Sequence, residues 1–311
     1  MEHALGLFPA GLPTLEELKV HNKDSDVPPE TAWIWGKDDE IGRINMLTPD
    51  TVLAAKQEAR DGDVVSLNWP MNLPAKPAFG RDACKHKVSN HPDGPMVFDD
   101  WIDMNIQSGS QWDGFRHYGH QAQGRFYNNL TPEEVRSGRG VLLDYYSWKV
   151  RKGEAYDPFT SHAIHLDELL AVAREQNVEF RAGDVLLIRS GYTSAYYEYE
   201  KSDPQRLDEA GSLKPALAGV AQTEEMKTWL HDSYFSAVAG DAPSWECWPP
   251  PGWALHEFLL GSWGVLIGEM FDLEALAKQC EKKKRWTFLF VSTPFNLPGG
   301  IASLANAVAI H

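Results

Sequence analysis

Cysteine is scarce. The 311 residues hold three, Cys84, Cys247 and Cys280, far apart and without a C-x-x-C among them. Any bridging scheme leaves one unpaired, so a disulfide scaffold is not expected and a reducing compartment is. Positive charge is short as well: 29 Lys+Arg face 44 Asp+Glu, a formal net charge of −15. An acidic surface repels phosphate backbones and anionic lipid, so neither nucleic acid nor a membrane surface is an expected partner. No apolar run approaches the ~20 residues of a spanning helix. The opening MEHALGLFPAGLPTLEEL lacks a basic region followed by an apolar run, so no signal peptide is expected. These absences predict a soluble, cytoplasmic protein. Chemical signatures are missing too: no G-x-S-x-G, no G-x-x-x-x-G-K-[ST], and no G-x-G-x-x-G after a strand. H-E-x-x-H also fails, because His256-Glu257 continues as Phe-Leu-Leu.

What is present is globular. Hydrophobic residues make up 43% and charged residues 23%, and 34.9 kDa fits one large or two intimate domains. No repeat or linker divides the chain, so a single domain over 1–311 is expected, with an N-terminal arm over roughly 1–45. Continuous apolar runs bounded by Gly, Asp or Pro at 140–148, 183–191, 234–241, 264–271 and 286–295 predict strands buried on both faces. Runs at 62–71 and 97–106 read as two further strands. Between them, 48–60, 131–138, 165–177, 224–233, 254–262 and 272–284 carry helical spacing, several behind a capping Thr or Asp. The alternation predicts an α/β fold with a mixed sheet. Segments 76–95 and 201–216, polar and bearing Gly and Pro, read as long loops of the kind that cover a site.

The densest polar stretch runs from Gln107 to His120 and follows a strand-like run, where α/β sites form. In extended backbone, residues two apart share a face. Gln111 and Asp113 then point together, Gln107 joins them if the extension holds, and bends at Gly109 and Gly114 bring His117 round. A carboxylate, an imidazole and amide oxygens make a metal site for Zn²⁺ or Mn²⁺; the alternative is a polar loop with a capping Asp and a surface His. Downstream, Glu269 lies inside the apolar run GVLIGEMF, 13 residues after His256. A carboxylate there is costly unless it is coordinated or paired, Arg189 being the candidate for a pair.

These segments resemble the metal-dependent cyclase-like hydrolases, a family that includes bacterial-type kynurenine formamidase, isatin hydrolase and trans-dienelactone hydrolase. Its motif H-x-G-T-H-x-D-x-P-x-H falls on Gln107-Ser108-Gly109-Ser110-Gln111-Trp112-Asp113-Gly114-Phe115-Arg116-His117. The likeness extends through 38–55, 138–144, 180–192, 236–246 and 288–310. Gln107 and Gln111 stand where the formamidase branch has histidines, and Gln-Trp-Asp-Gly-x-x-His is more similar to the dienelactone-hydrolase side. The resemblance implies a swivelling β/β/α cyclase-like fold with a mixed central sheet, and a homodimer whose N-terminal segment reaches the partner. It also implies one divalent ion, Zn or Mn, held by a subset of Gln107, Gln111, Asp113, His117, His256 and Glu269.

The expected activity is hydrolysis of a lactone, cyclic amide or related acyl bond of a small, cyclic or aromatic substrate by metal-activated water. His117 or His120 would move the proton, His120 if His117 is a ligand. Twelve tryptophans are many for this length, and Trp112, Trp245 and Trp248 flank site segments where they would wall a pocket. Arg116 and Arg189 are candidates for a substrate carboxylate or for internal ion pairs. Two alternatives stand beside hydrolysis: a metal-dependent cyclisation, dehydration or isomerisation, and a degenerate member that only binds a ligand.

Overall fold

The structure is a computed structural model, and it describes residues 11–25, 27–90, 98–121, 124–129, 136–295 and 300–311. In chain order the helices are α1 (Leu15–His21), α2 (Pro49–Lys56), α3 (Tyr145–Arg151), α4 (Leu166–Glu175), α5 (Tyr192–Ser202), α6 (Gln205–Ala210), α7 (Glu224–Asp232) and α8 (Glu274–Lys283). The strands are β1 (Val64–Ser66), β2 (Lys85–Asn90), β3 (Phe98–Asp103), β4 (Gln111–Asp113), β5 (Arg136–Leu143), β6 (Ala163–Ile164) and β7 (Val185–Ile188). They continue with β8 (Gly219–Val220), β9 (Ala237–Gly240), β10 (Leu266–Glu269), β11 (Thr287–Ser292), β12 (Ala302–Leu304) and β13 (Ala307–Ile310).

One nine-stranded sheet dominates, ordered β1-β13-β11-β5-β7-β9-β10-β4-β12. Its centre, β5-β7-β9-β10, is parallel, and both flanks are antiparallel. The central strands are short apolar runs buried along their length, VLLI in β7 and AVAG in β9. Only helices on both faces can bury such runs. Two packed layers result. One contains Leu186, Val238 and Ile267 with Trp245 and Phe115; the other contains Trp112, Leu142, Leu187, Ala239, Phe271 and Phe288. The α/β fold with a mixed central sheet is therefore present.

Helix starts follow their capping chemistry. The Thr48 and Thr223 side chains accept from Thr51 N–H and Met226 N–H, and Thr14 closes a capping box with Glu17. Several boundaries differ from the sequence reading. The run 140–148 is a strand only to Leu143, because Asp144 caps α3 through Ser147 N–H and turns the chain helical. Residues 136–138, expected in a helix, belong to β5, and 131–135 lie outside the described residues. The expected loop 201–216 contains the end of α5 and all of α6. The expected strand 97–106 exists as β3, but it pairs with β2 from the expected loop 76–95 in a separate exposed hairpin. The stretch 254–262 forms a π-helical turn, Glu257–Ser262.

Of the arm expected over 1–45, residues 1–10 and 26 lie outside the described residues. The rest lies against its own chain: Leu15 and Leu18 are fully buried, and Leu15 N–H donates to Asp232 Oδ1 at 2.8 Å. Gly42 makes this docking possible. It has φ +54°, and a Cβ there would sit 2.2 Å from Gly264 O, the carbonyl that accepts from Arg43 N–H. No described helix is long and apolar enough to cross a membrane.

Candidate metal centre

The site forms where β10 and the chain leaving β9 end, at the carboxyl edge of the parallel strands. Strand β4 runs antiparallel to β10 with Gln111 opposite Glu269 and Asp113 opposite Ile267. Cross-strand partners point to the same side of a sheet, so Gln111, Asp113 and Glu269 share one face and Trp112 takes the other. The π-helical turn brings His256 down onto that face. Asp113, His256 and Glu269 are all buried and offer ligand atoms within 4.8 Å of one another. His256 Nε2 lies 3.3 Å from Glu269 Oε1 and 4.0 Å from Asp113 Oδ2.

Each member is oriented by a further bond. Glu269 Oε1 accepts from Trp245 N–H at 3.0 Å and Oε2 from Gln111 Nε2 at 3.1 Å. Asp113 Oδ1 accepts from Gln107 Nε2 at 2.9 Å. His256 Nδ1 lies 2.9 Å from Glu246 Oε1, a contact that leaves Nε2 facing Asp113 and Glu269. His117 stands half-buried at the edge, with Nε2 3.8 Å from Asp113 Oδ2 and both ring nitrogens against Gln107 Nε2 at 2.5 and 3.2 Å.

The electrostatics call for positive charge. Burial first, and then Glu269, drives the Asp113 carboxyl upward in pKa. Burial works to lower His256, but Glu246 and Glu269 outweigh it and hold the imidazole well above its usual range. Three buried oxygens of the cluster and the residues bonded to it have no hydrogen-bond partner: Asp113 Oδ2, Gln111 Oε1 and Glu246 Oε2. Buried oxygens are normally satisfied, and a divalent cation beside Asp113, Gln111 and Glu269 meets that demand. The donor set of carboxylates, one imidazole and an amide oxygen fits such an ion.

The structure sorts the sequence candidates. Asp113, His256 and Glu269 come together, with Gln111, Gln107 and His117 beside them. His120 does not join them: its Nδ1 lies 3.0 Å from Glu257 Oε1, off-line for a hydrogen bond, and it lines a different cavity of about 490 Å³ with Trp253, Phe258 and Lys227. Arg189 closes internal ion pairs. It is buried, with Nη1 on Asp144 at 2.8 Å and Nε and Nη2 on Glu274 at 2.8 Å, which also rules out its pairing with Glu269. Trp112 is a core residue of the opposite face, edge-on to Phe271 and Phe290, its Nε1 donating to Ser292 Oγ. Trp245 is likewise buried and serves through its backbone N–H. Arg116 is partly exposed, with Nε and Nη2 buried and unpartnered. Trp248, also partly exposed, stands edge-on to Phe79. Sequence reasoning missed Glu246; the signal was an acid between Trp245 and Cys247 in an otherwise small and apolar stretch.

Comparison with known proteins agrees with this architecture. The family described as putative cyclase matches residues 65–247. This chain belongs to the putative cyclase family. Among solved structures, it is similar to one described as a novel cyclase, at 26% identity and a TM-score of 0.75, over 89% of this chain and 98% of that one. Isatin hydrolase A from Ralstonia solanacearum matches at 15% identity and a TM-score of 0.60, over 84% of this chain and 97% of that one. Isatin hydrolase A from Labrenzia aggregata, bound to benzyl benzoate, matches at 14% and 0.58 over the same shares. At those identities the two hydrolases share the cyclase fold with this chain. No curated protein matches the sequence.

Proposed function

We propose that this cyclase-family chain is a metal-dependent hydrolase that opens a lactone, cyclic amide or related acyl bond of a small cyclic or aromatic substrate. The supporting observation is the buried convergence of Asp113, His256 and Glu269, ringed by oxygens without partners. Held by those three residues with Gln111 Oε1, a Zn²⁺ or Mn²⁺ ion would supply a Lewis acid for the carbonyl oxygen and bring the pKa of a water toward ~7.

The protein's own residues do the rest. Glu246 fixes the ring of His256, and Trp245 N–H with Gln111 fixes Glu269. His117 is the residue for the proton. Burial leads the effects that lower its pKa, so the imidazole is neutral near pH 7 and able to accept. The proton from water passes to His117 and then to the departing nitrogen or oxygen as the acyl bond breaks, and the product gains one water.

The test is metal content per chain in the parent and in Asp113→Asn, with thermal melting before and after chelation. Near-stoichiometric Zn or Mn in the parent, lost in the variant, is expected, with a lower melting temperature after chelation. A screen of lactones and cyclic amides read by product mass then separates hydrolysis from isomerisation, which adds no water. Metal in neither protein, with melting unmoved by Zn or Mn, would sink the reading.

A further inference from the structure

Residues 77–81 form a strained turn beside the centre. Phe79 has φ +61° and ψ +20°, a left-handed conformation that a bulky side chain holds only when its surroundings impose it. Phe79 N–H donates to Ser212 O at 3.1 Å, and the ring stands edge-on to Trp248 with centroids 5.4 Å apart. Gly80 follows at φ +69°, where a Cβ would meet Leu213 Cδ2 at 2.4 Å. The turn thus gives Phe79 and the next side chain, Arg81, fixed directions.

Arg81 comes off the turn with its guanidinium carbon 5.1 Å from the Phe79 ring centroid, and Nη1 donates to Gln107 O at 2.7 Å. Gln107 is the residue whose amide bonds Asp113 and touches His117. Arg81 is therefore one residue removed from the centre. Its charge also acts on the His117 imidazole, after burial, Asp113 and His256. Among the described residues no carboxylate pairs with Arg81, whereas Arg139, Arg189 and Arg285 each close on acids. Among these residues Arg43 and Arg116 also lack a carboxylate, but of these three Arg81 is the one that hydrogen-bonds a residue beside the centre. With Nη1 committed to Gln107, the edge formed by Nε and Nη2 is the one that suits a carboxylate.

We propose that Arg81 is an anion-recognition residue of this site, receiving the carboxylate of a flat ligand whose ring lies against Phe79 and Trp248, so that the substrate class is an aromatic acid. The inference deepens the hydrolase reading and rests on it for the ligand being a substrate.

Calorimetric titration with benzoate, its uncharged counterpart benzamide, and ringless acetate tests this on the parent, Arg81→Gln, Arg81→Lys and Asp113→Asn, each with its metal content measured. Benzoate should bind the parent about tenfold or more tighter than either comparison compound. Arg81→Gln should erase that preference and leave benzamide unchanged, while Arg81→Lys, which keeps charge but not the fork, should restore part of it. The preference should persist in Asp113→Asn even as metal is lost, which separates this proposal from the hydrolase reading. No benzoate preference in the parent overturns it without any variant. So does a preference that survives Arg81→Gln, or one that disappears with the metal in Asp113→Asn.

Discussion

Glu246 shows how much a single residue outside the ligand set can decide. It is fully buried, and its Oε1 meets His256 Nδ1, so that imidazole's other nitrogen faces Asp113 and Glu269. Carboxylate–imidazole contacts of this kind fix the ring and raise its basicity as a ligand. Glu246→Ala leaves the ring free to turn and Nδ1 without a partner. The expected result is metal affinity weakened roughly 10–100-fold, with Glu246→Gln falling between it and the parent because the amide oxygen still accepts. Competition against a chelator of known affinity measures this. Equal affinities in all three proteins would show that the contact does not matter for binding.

Strand β4 divides its side chains between two faces of the sheet. Its period of two was legible from Gln111 and Asp113, and the structure keeps both on one face. The same period places Trp112 on the opposite face, against Phe271 and Phe290, so its assignment to a pocket wall did not follow from the pattern. Trp112→Phe should cost about 1–2 kcal/mol in chemical denaturation, through the lost Nε1 bond to Ser292 and poorer filling. It should leave metal stoichiometry unchanged, and loss of metal would contradict the division of faces. The parallel core was readable because VLLI and AVAG are continuous apolar runs between turn residues. Helix α5 was not. Its sequence YTSAYYEYEKS has few strong helix formers, and it is held by Tyr192 and Tyr196 packing edge-on to Trp69, a residue far away in the chain. Arg189 was ambiguous for the same reason, since its partners Asp144 and Glu274 come from two other elements. Contacts that cross the sequence leave no local signature.

The whole molecule is tied together at a buried basic knot away from the site. Arg43 from the N-terminal segment is 1% exposed, donates from Nη1 to His231 O at 2.7 Å, and lies over the rings of Tyr234 and Trp263. It joins the start of the chain to α7 and to the end of the π-helical turn. Burial, and then the Arg43 charge, pushes the fully buried His231 down to about 4, despite the adjacent Asp232. Its ordinary value is 6.5, so between pH 6.5 and 4 the unfolded chain takes up a proton that the folded one refuses. Stability from this group is complete above 6.5 and is lost as pH falls toward 4, by about 3 kcal/mol. Asp241, raised to about 6 chiefly by burial, acts the other way: its contribution is complete below about 3.8 and fades as pH rises through 6. Asp241 works against His231, while His311, also lowered to about 4 chiefly by burial, works with it, so the parent's acid profile alone does not isolate any one of them. His231→Gln removes one of them. Urea unfolding at pH 7, 5.5 and 4.5 should then show the variant losing less stability on acidification than the parent, by about 2 kcal/mol between pH 7 and 4.5. Parallel profiles in the two proteins would mean that His231 is not held neutral and that the knot tolerates a second positive charge.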